Sequence, residues 1–261
     1  DYVYVGTTDE EYTGSLDTPR ATRAEVLDVL AMTQDSFPDA HLGIDDVLAT
    51  WAGIRPLVAE EGKTTRDTSR EDEVWTTPPG LVTIAGGKLT TYRRMAGRVI
   101  DALRDDLGAP PHDTERTADV PLPGAPAGDA AEFSEDRARK LRAAGVSQPT
   151  VERLCWLYGR QIDGLLELGS EDPAWLQPLG PGVPAVRGEV KLAVETEMAC
   201  TLADFMDRRS ALLLFSPNFG LAGVAEAAAI MGGLLGWDAA RSAEELASYQ
   251  RLAVEHGVPA Q

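Results

Sequence analysis

The sequence predicts a mixed α+β chain in which a partial α/β portion is followed by an all-α C-terminal domain. Three observations carry that expectation. Strand-like apolar runs occur only before about residue 108, a stretch rich in Pro, Gly, Asp and Ala fills 109–133, and from 134 to 261 almost every segment repeats its apolar residues at spacings of three and four. The expected division is therefore 1–108 as the α/β part, 109–133 as a linker and 134–261 as the helical domain.

Taken in order, residues 1 to about 14 read as a strand, with Val3 and Val5 alternating against Tyr2 and Tyr4 before the turn-rich Gly6-Thr7-Thr8-Asp9. Thr22 and Glu25 stand at capping-box spacing and open a helix whose inner face carries Val26, Leu27 and Leu30, ending near Phe37-Pro38. Residues 45–54 read as a second strand. Leu81-Val82-Thr83-Ile84-Ala85 reads as a third, apolar enough to be buried on both faces. After Gly86-Gly87-Lys88 comes a helix with Leu89, Tyr92, Met95, Val99, Ile100 and Leu103 on one stripe. The later part reads as five or six helices, with Pro181 and Pro184 interrupting them and Asp238 capping the last.

With 43% hydrophobic and 25% charged residues, the chain has material for one large core or two moderate ones. No run approaches the roughly 20 apolar residues of a membrane span, and the start lacks a secretion signal, so the expected compartment is cytoplasmic. A chain that opens on Asp1 within a strand-like run reads as part of a longer polypeptide. The 42 acidic against 24 basic side chains give a net charge of −18, which disfavours nucleic-acid binding. An anionic substrate would then need a local basic cluster, whose short-range attraction survives because distant charges are screened over ~10 Å. Cys155 and Cys200 lie in apolar helical patterns and read as buried small hydrophobes, and no metal-ligand spacing is present.

Gly86-Gly87-Lys88 is not a phosphate loop, because Val82 and Leu89 stand where that motif requires Gly and Ser or Thr. What the run does offer is a side-chain-free approach to the backbone and, behind it, a helix N-terminus with free N–H groups. Gly180-Pro181-Gly182-Val183-Pro184-Ala185 matches a dinucleotide fingerprint only formally, since prolines interrupt it and no strand precedes it. Arg55, Arg70 and Lys88 each sit near a strand end or an adjoining loop. Together they combine planar forks with a compact charge, which suits a phosphorylated alcohol; taken singly, each also reads as a solvated surface charge.

The segments Val5-Gly6-Thr7-Thr8-Asp9, Trp51-Ala52-Gly53-Ile54-Arg55-Pro56-Leu57, Ser69-Arg70-Glu71-Asp72 and Gly86-Gly87-Lys88-Leu89-Thr90-Thr91-Tyr92-Arg93, in this order, closely resemble FAD-dependent glycerol-3-phosphate dehydrogenase. The likeness continues through Glu189-Val190, Glu197-Met198-Ala199, Thr201-Leu202-Ala203-Asp204 and Arg208-Arg209, so it covers the C-terminal half of that family, including its helical domain. It implies oxidation of sn-glycerol 3-phosphate to dihydroxyacetone phosphate, with electrons passing through FAD to quinone. On the matching positions it implies that Arg55 and Arg70 hold the substrate phosphate and that Lys88 is the catalytic residue beside the reacting hydroxyl. Gly86, Gly87, Lys88, Leu89 and Thr90 would then face the flavin. Hydride transfer from C2 to the flavin follows from the same resemblance, with Lys88 either stabilising the alkoxide or assisting the proton transfer.

The loop that binds the FAD diphosphate in that family has no counterpart in this sequence, which implies that the chain alone is not an active enzyme. Two alternatives stand beside the dehydrogenase: the related oxidase that uses oxygen, and a non-catalytic helical interaction module. For the helical domain the expected roles are packing, homo-oligomer contacts and peripheral contact with the inner face of the cell membrane.

Overall fold

A computed structural model describes residues 3–55, 72–78, 80–108 and 115–259. They form two compact units: one comprises Asp1–Thr8, Thr18–Ala52 and Pro123–Gln261, the other Asp9–Asp17 and Gly53–Leu122.

The larger unit opens with α1 (Arg23–Ser36). Its capping box is reciprocal: the Glu25 N–H donates to the Thr22 hydroxyl at 3.2 Å, and the Thr22 N–H donates to the Glu25 carboxylate at 2.8 Å. The Thr22 backbone N–H, a smaller burial effect in the opposite sense, and the hydroxyls of Thr22 and Thr8 together hold Glu25 below the usual carboxylate value. Beyond α1, the backbone N–H of Thr50 donates to the His256 carbonyl at 2.8 Å, and the Thr50 hydroxyl donates to the Gly257 carbonyl at 3.1 Å. Arg23 donates to the Pro259 carbonyl at 3.2 Å, so the early segment is tied to the far end of the chain.

The helical part begins at α3 (Ala130–Ala143), α4 (Gln148–Tyr158) and α5 (Ile162–Glu171), α2 (Tyr92–Leu107) lying in the smaller unit, and continues with α6 (Arg187–Glu197), the single turn α7 (Leu212–Phe215), α8 (Leu221–Leu235) and α9 (Ala239–Glu255). A π-helical turn covers Asp204–Arg209. Among the described residues, two apolar clusters make the core. Leu141, Val151, Leu154, Ile162 and Leu165 fill the first, between α3, α4 and α5. Val190, Leu202, Phe205, Met206, Leu212, Val224, Met231 and Tyr249 fill the second, around α6 to α9. Fully burying each such side chain contributes roughly 1.5–3 kcal/mol, so these clusters are the main source of stability here. Asp238 caps α9 as expected, accepting from the Arg241 N–H at 2.7 Å.

Several expectations are corrected. Residues 3–13 and 47–55 form no strand, and Ile44–Asp46 is a short 3-10 turn. Strand propensity is realised only where a neighbouring strand takes up the backbone hydrogen bonds. Cys155 is half-buried and Cys200 exposed, because α6 ends at Glu197 and the left-handed Met198 turns the chain out of the helix before Cys200. One segment, Pro217–Leu235, does have the length and apolarity of a membrane span, with 19 residues of mean hydropathy 1.4. Left-handed Asn218 and Phe219 interrupt it, however, and α8 buries Gly223, Val224, Ala227, Ala228 and Met231 in the second core cluster.

Candidate functional site

The smaller unit carries the glycine turn. β1 (Asp72–Thr77) and β2 (Leu81–Gly86) pair antiparallel, with Asp72 opposite Gly86 and Thr77 opposite Leu81. β1 escaped the sequence reading, which took Leu81–Ala85 for a strand buried on both faces. In a two-stranded ladder it is only half-buried, and Leu81 is exposed.

At the end of β2, Gly86 and Gly87 take φ of 78° and 79°, a left-handed conformation that glycine enters without steric cost. Lys88 returns to extended backbone, Leu89–Thr91 make one 3-10 turn, and α2 (Tyr92–Leu107) follows. The Thr91 N–H and hydroxyl both donate to the Lys88 carbonyl at 2.9 Å, pinning the entry to the helix. A β-carbon on Gly87 would lie 2.6 Å from Met95 Sδ and 3.1 Å from Asp72 Cβ, so the turn is seated directly on those two side chains. Beneath it Arg98, on α2, donates to the Asp72 carbonyl at 2.9 Å and forms an ion pair with the Asp72 carboxylate.

The structure thus gathers Gly86, Gly87, Lys88, Leu89 and Thr90 into one continuous turn, on which Lys88, Leu89 and Thr90 are exposed. Arg55 belongs to the same unit, and its guanidinium meets the Asp9 carboxylate at 2.8 Å, with both side chains open to solvent. Arg70 lies outside the described residues.

Sequence reasoning overlooked a polar network inside the helical part. Glu189, fully buried, accepts from the Val186 N–H at 2.8 Å, from Arg153 at 2.7 Å and from the Tyr158 hydroxyl at 3.1 Å. Arg153 also donates to the carbonyls of Ser210 at 2.7 Å and Pro184 at 3.2 Å. Burial, then the nearby Glu189 charge, pushes the Tyr158 hydroxyl well above its ordinary value. The one local signal was the place of Glu189 in the first turn of α6, where a carboxylate can reach back to free N–H groups. Among the described residues, no group of three or more His, Cys, Asp or Glu could hold a metal.

One chain thus carries a glycine turn between a strand and a helix together with a largely helical remainder. Residues 115–242 match the family described as the C-terminal domain of alpha-glycerophosphate oxidase. The chain is 35% identical over 224 residues to the aerobic glycerol-3-phosphate dehydrogenase of Bacillus subtilis (strain 168), a match covering 83% of this chain and 40% of that protein. With the glycerol-3-phosphate dehydrogenase of Synechocystis sp. it shares 30% identity over 98% of this chain and 46% of the relative. The crystal structure of glycerol-3-phosphate dehydrogenase from Bacillus halodurans, complexed with FAD, superposes with a TM-score of 0.78 at 29% identity, covering 98% of this chain and 49% of that one. Across nearly its whole length, then, the chain is similar to proteins named glycerol-3-phosphate dehydrogenase, one of them solved in complex with FAD. It spans less than half the length of each relative it matches here.

Proposed function

We propose that this chain supplies the flavin-facing turn and substrate-gripping side chains of an FAD-dependent enzyme that oxidises sn-glycerol 3-phosphate to dihydroxyacetone phosphate. The observation that carries the reading is the run Gly86-Gly87-Lys88-Leu89-Thr90-Thr91, placed as a solvent-facing turn between β2 and α2 in a chain related to dehydrogenases of that name. The residues fit such a cofactor. Two left-handed glycines bring bare backbone to the surface, and the turn leads into a helix whose N-terminal N–H groups favour negative charge.

The chemistry FAD supplies when bound is acceptance of the two electrons released as the C2 alcohol becomes a ketone. Lys88, whose side chain is exposed, would stabilise the alkoxide that develops at the C2 oxygen. Arg55, now engaged with Asp9, would exchange that carboxylate for the substrate phosphate, and Arg70 would complete the grip. The clamp supplies orientation rather than bond-making. In an otherwise strongly acidic chain, these cations would create the local field that an anionic substrate needs.

Quinone is the acceptor in this reading, with the enzyme cytoplasmic and resting on the inner face of the membrane. In the flavin-loaded enzyme, Lys88→Ala should abolish turnover and leave folding intact, whereas Arg55→Ala should mainly raise KM, by the loss of a contact worth roughly 1.5–3 kcal/mol. Unchanged kcat in Lys88→Ala would sink the assignment. Hydrogen peroxide formation in place of quinone reduction would point to the oxidase instead.

A further inference from the structure

We propose that Asp72 and Arg98 are positioning residues that hold the Gly86-Gly87-Lys88 turn in its working geometry, an inference that rests on the functional reading of that turn given above. Asp72 is the last rung of the hairpin, directly opposite Gly86, so whatever fixes Asp72 also fixes the residue that enters the turn. Arg98 lies on the helix that leaves the turn and grips Asp72 twice, through its backbone carbonyl and its carboxylate. Both ends of the turn are therefore tied to one residue.

Between those ends, Gly87 rests against Met95 and the β-carbon of Asp72, so that an added methyl group would displace the Met95 side chain and crowd Asp72. Met95 and Arg98 are three residues apart on α2 and so share one helix face. Seat and clamp form a single block made of that face and Asp72. Because the Arg98 side chain is 46% exposed, the ion pair adds little to global stability. Its effect is local, on where the backbone of Gly87 and Lys88 sits, and displacements on the order of 1 Å at a reacting centre lower rates by up to about a hundredfold.

The test compares Arg98→Ala, Asp72→Asn and Arg98→Lys. In the 1H–15N spectrum of this chain, the amide signals of Gly87 and Lys88 should shift or broaden in Arg98→Ala and Asp72→Asn, while that of Gly223 in the helical core stays in place and Tm barely changes. Arg98→Lys, which keeps the charge and a single donor nitrogen, should recover most of the parent spectrum. In the flavin-loaded enzyme, Arg98→Ala should lower kcat at least about tenfold with little change in KM and should move the flavin absorbance bands. Unmoved Gly87 and Lys88 signals in both variants overturn the proposal. So does a fall in activity that merely tracks a loss of folded protein. The Lys88→Ala result judges the functional reading separately, and the spectrum of the chain judges the clamp whichever way that falls.

Discussion

Arg153 and Glu189 form a buried ion pair 2.7 Å apart that locks α4 to the start of α6. Each partner is satisfied more than once: Glu189 by three donors, Arg153 by two further carbonyls. That is the condition under which a buried pair is tolerated at all. Removing one partner strands the other charge. Arg153→Ala should therefore destabilise the helical part by about 3–5 kcal/mol, and replacing both by apolar residues of similar size should recover much of that loss. Urea denaturation followed by circular dichroism measures both; a single-variant loss below about 1 kcal/mol would show that the pair does not lock α4 to α6.

Glu197 stands near the same network, with one carboxylate oxygen buried and without a hydrogen-bond partner. Burial raises its ionisation above the ordinary carboxylate value, Arg209 opposes that, and Glu189 adds to it. A group whose folded value is raised contributes stability fully below its unfolded value, and this is lost as pH rises through the folded value. Glu197→Gln should accordingly flatten the decline in stability on the alkaline side of the ordinary carboxylate range. Parallel denaturant titrations between about pH 4 and about pH 7 check this, and identical pH slopes for parent and variant would contradict it.

Gly87→Ala forces a side chain into a left-handed backbone and against Met95 and Asp72. The expected cost is roughly 1–3 kcal/mol. Adding Met95→Ala should relieve the steric part and leave the backbone part, a split readable from thermal melts of the single and double variants.

Gly159 closes α4 with φ 48° and ψ −127°, and a β-carbon there would lie 2.3 Å from the Gly124 carbonyl, which accepts the Arg160 N–H. The obstacle is backbone and cannot rotate away. Gly159→Ala should cost at least about 1–3 kcal/mol, and a melting temperature equal to that of the parent would show that the loop is free to shift.

Much of this architecture was legible because its signals are local. The Thr22–Glu25 capping box, the Asp238 cap, the three-and-four periodicity after residue 134 and the strand, glycine pair and helix around Gly86 each lie within a few residues of what they specify. The strands expected near Val3–Val5 and in 45–54 were misread for the complementary reason: apolar alternation states a preference, and a ladder needs a partner.

By itself, the sequence determined the helices, the glycine turn and the kinship with glycerol-3-phosphate dehydrogenases, because capping, periodicity and a contiguous motif are short-range properties of the chain. Only the tertiary structure decided that Arg153 meets Glu189, 36 residues away, and that Arg98 grips Asp72, 26 residues away. A charged side chain in a sequence has many possible partners, and the one it keeps is set by which helix faces packing brings together and by the cost of leaving a charge buried alone.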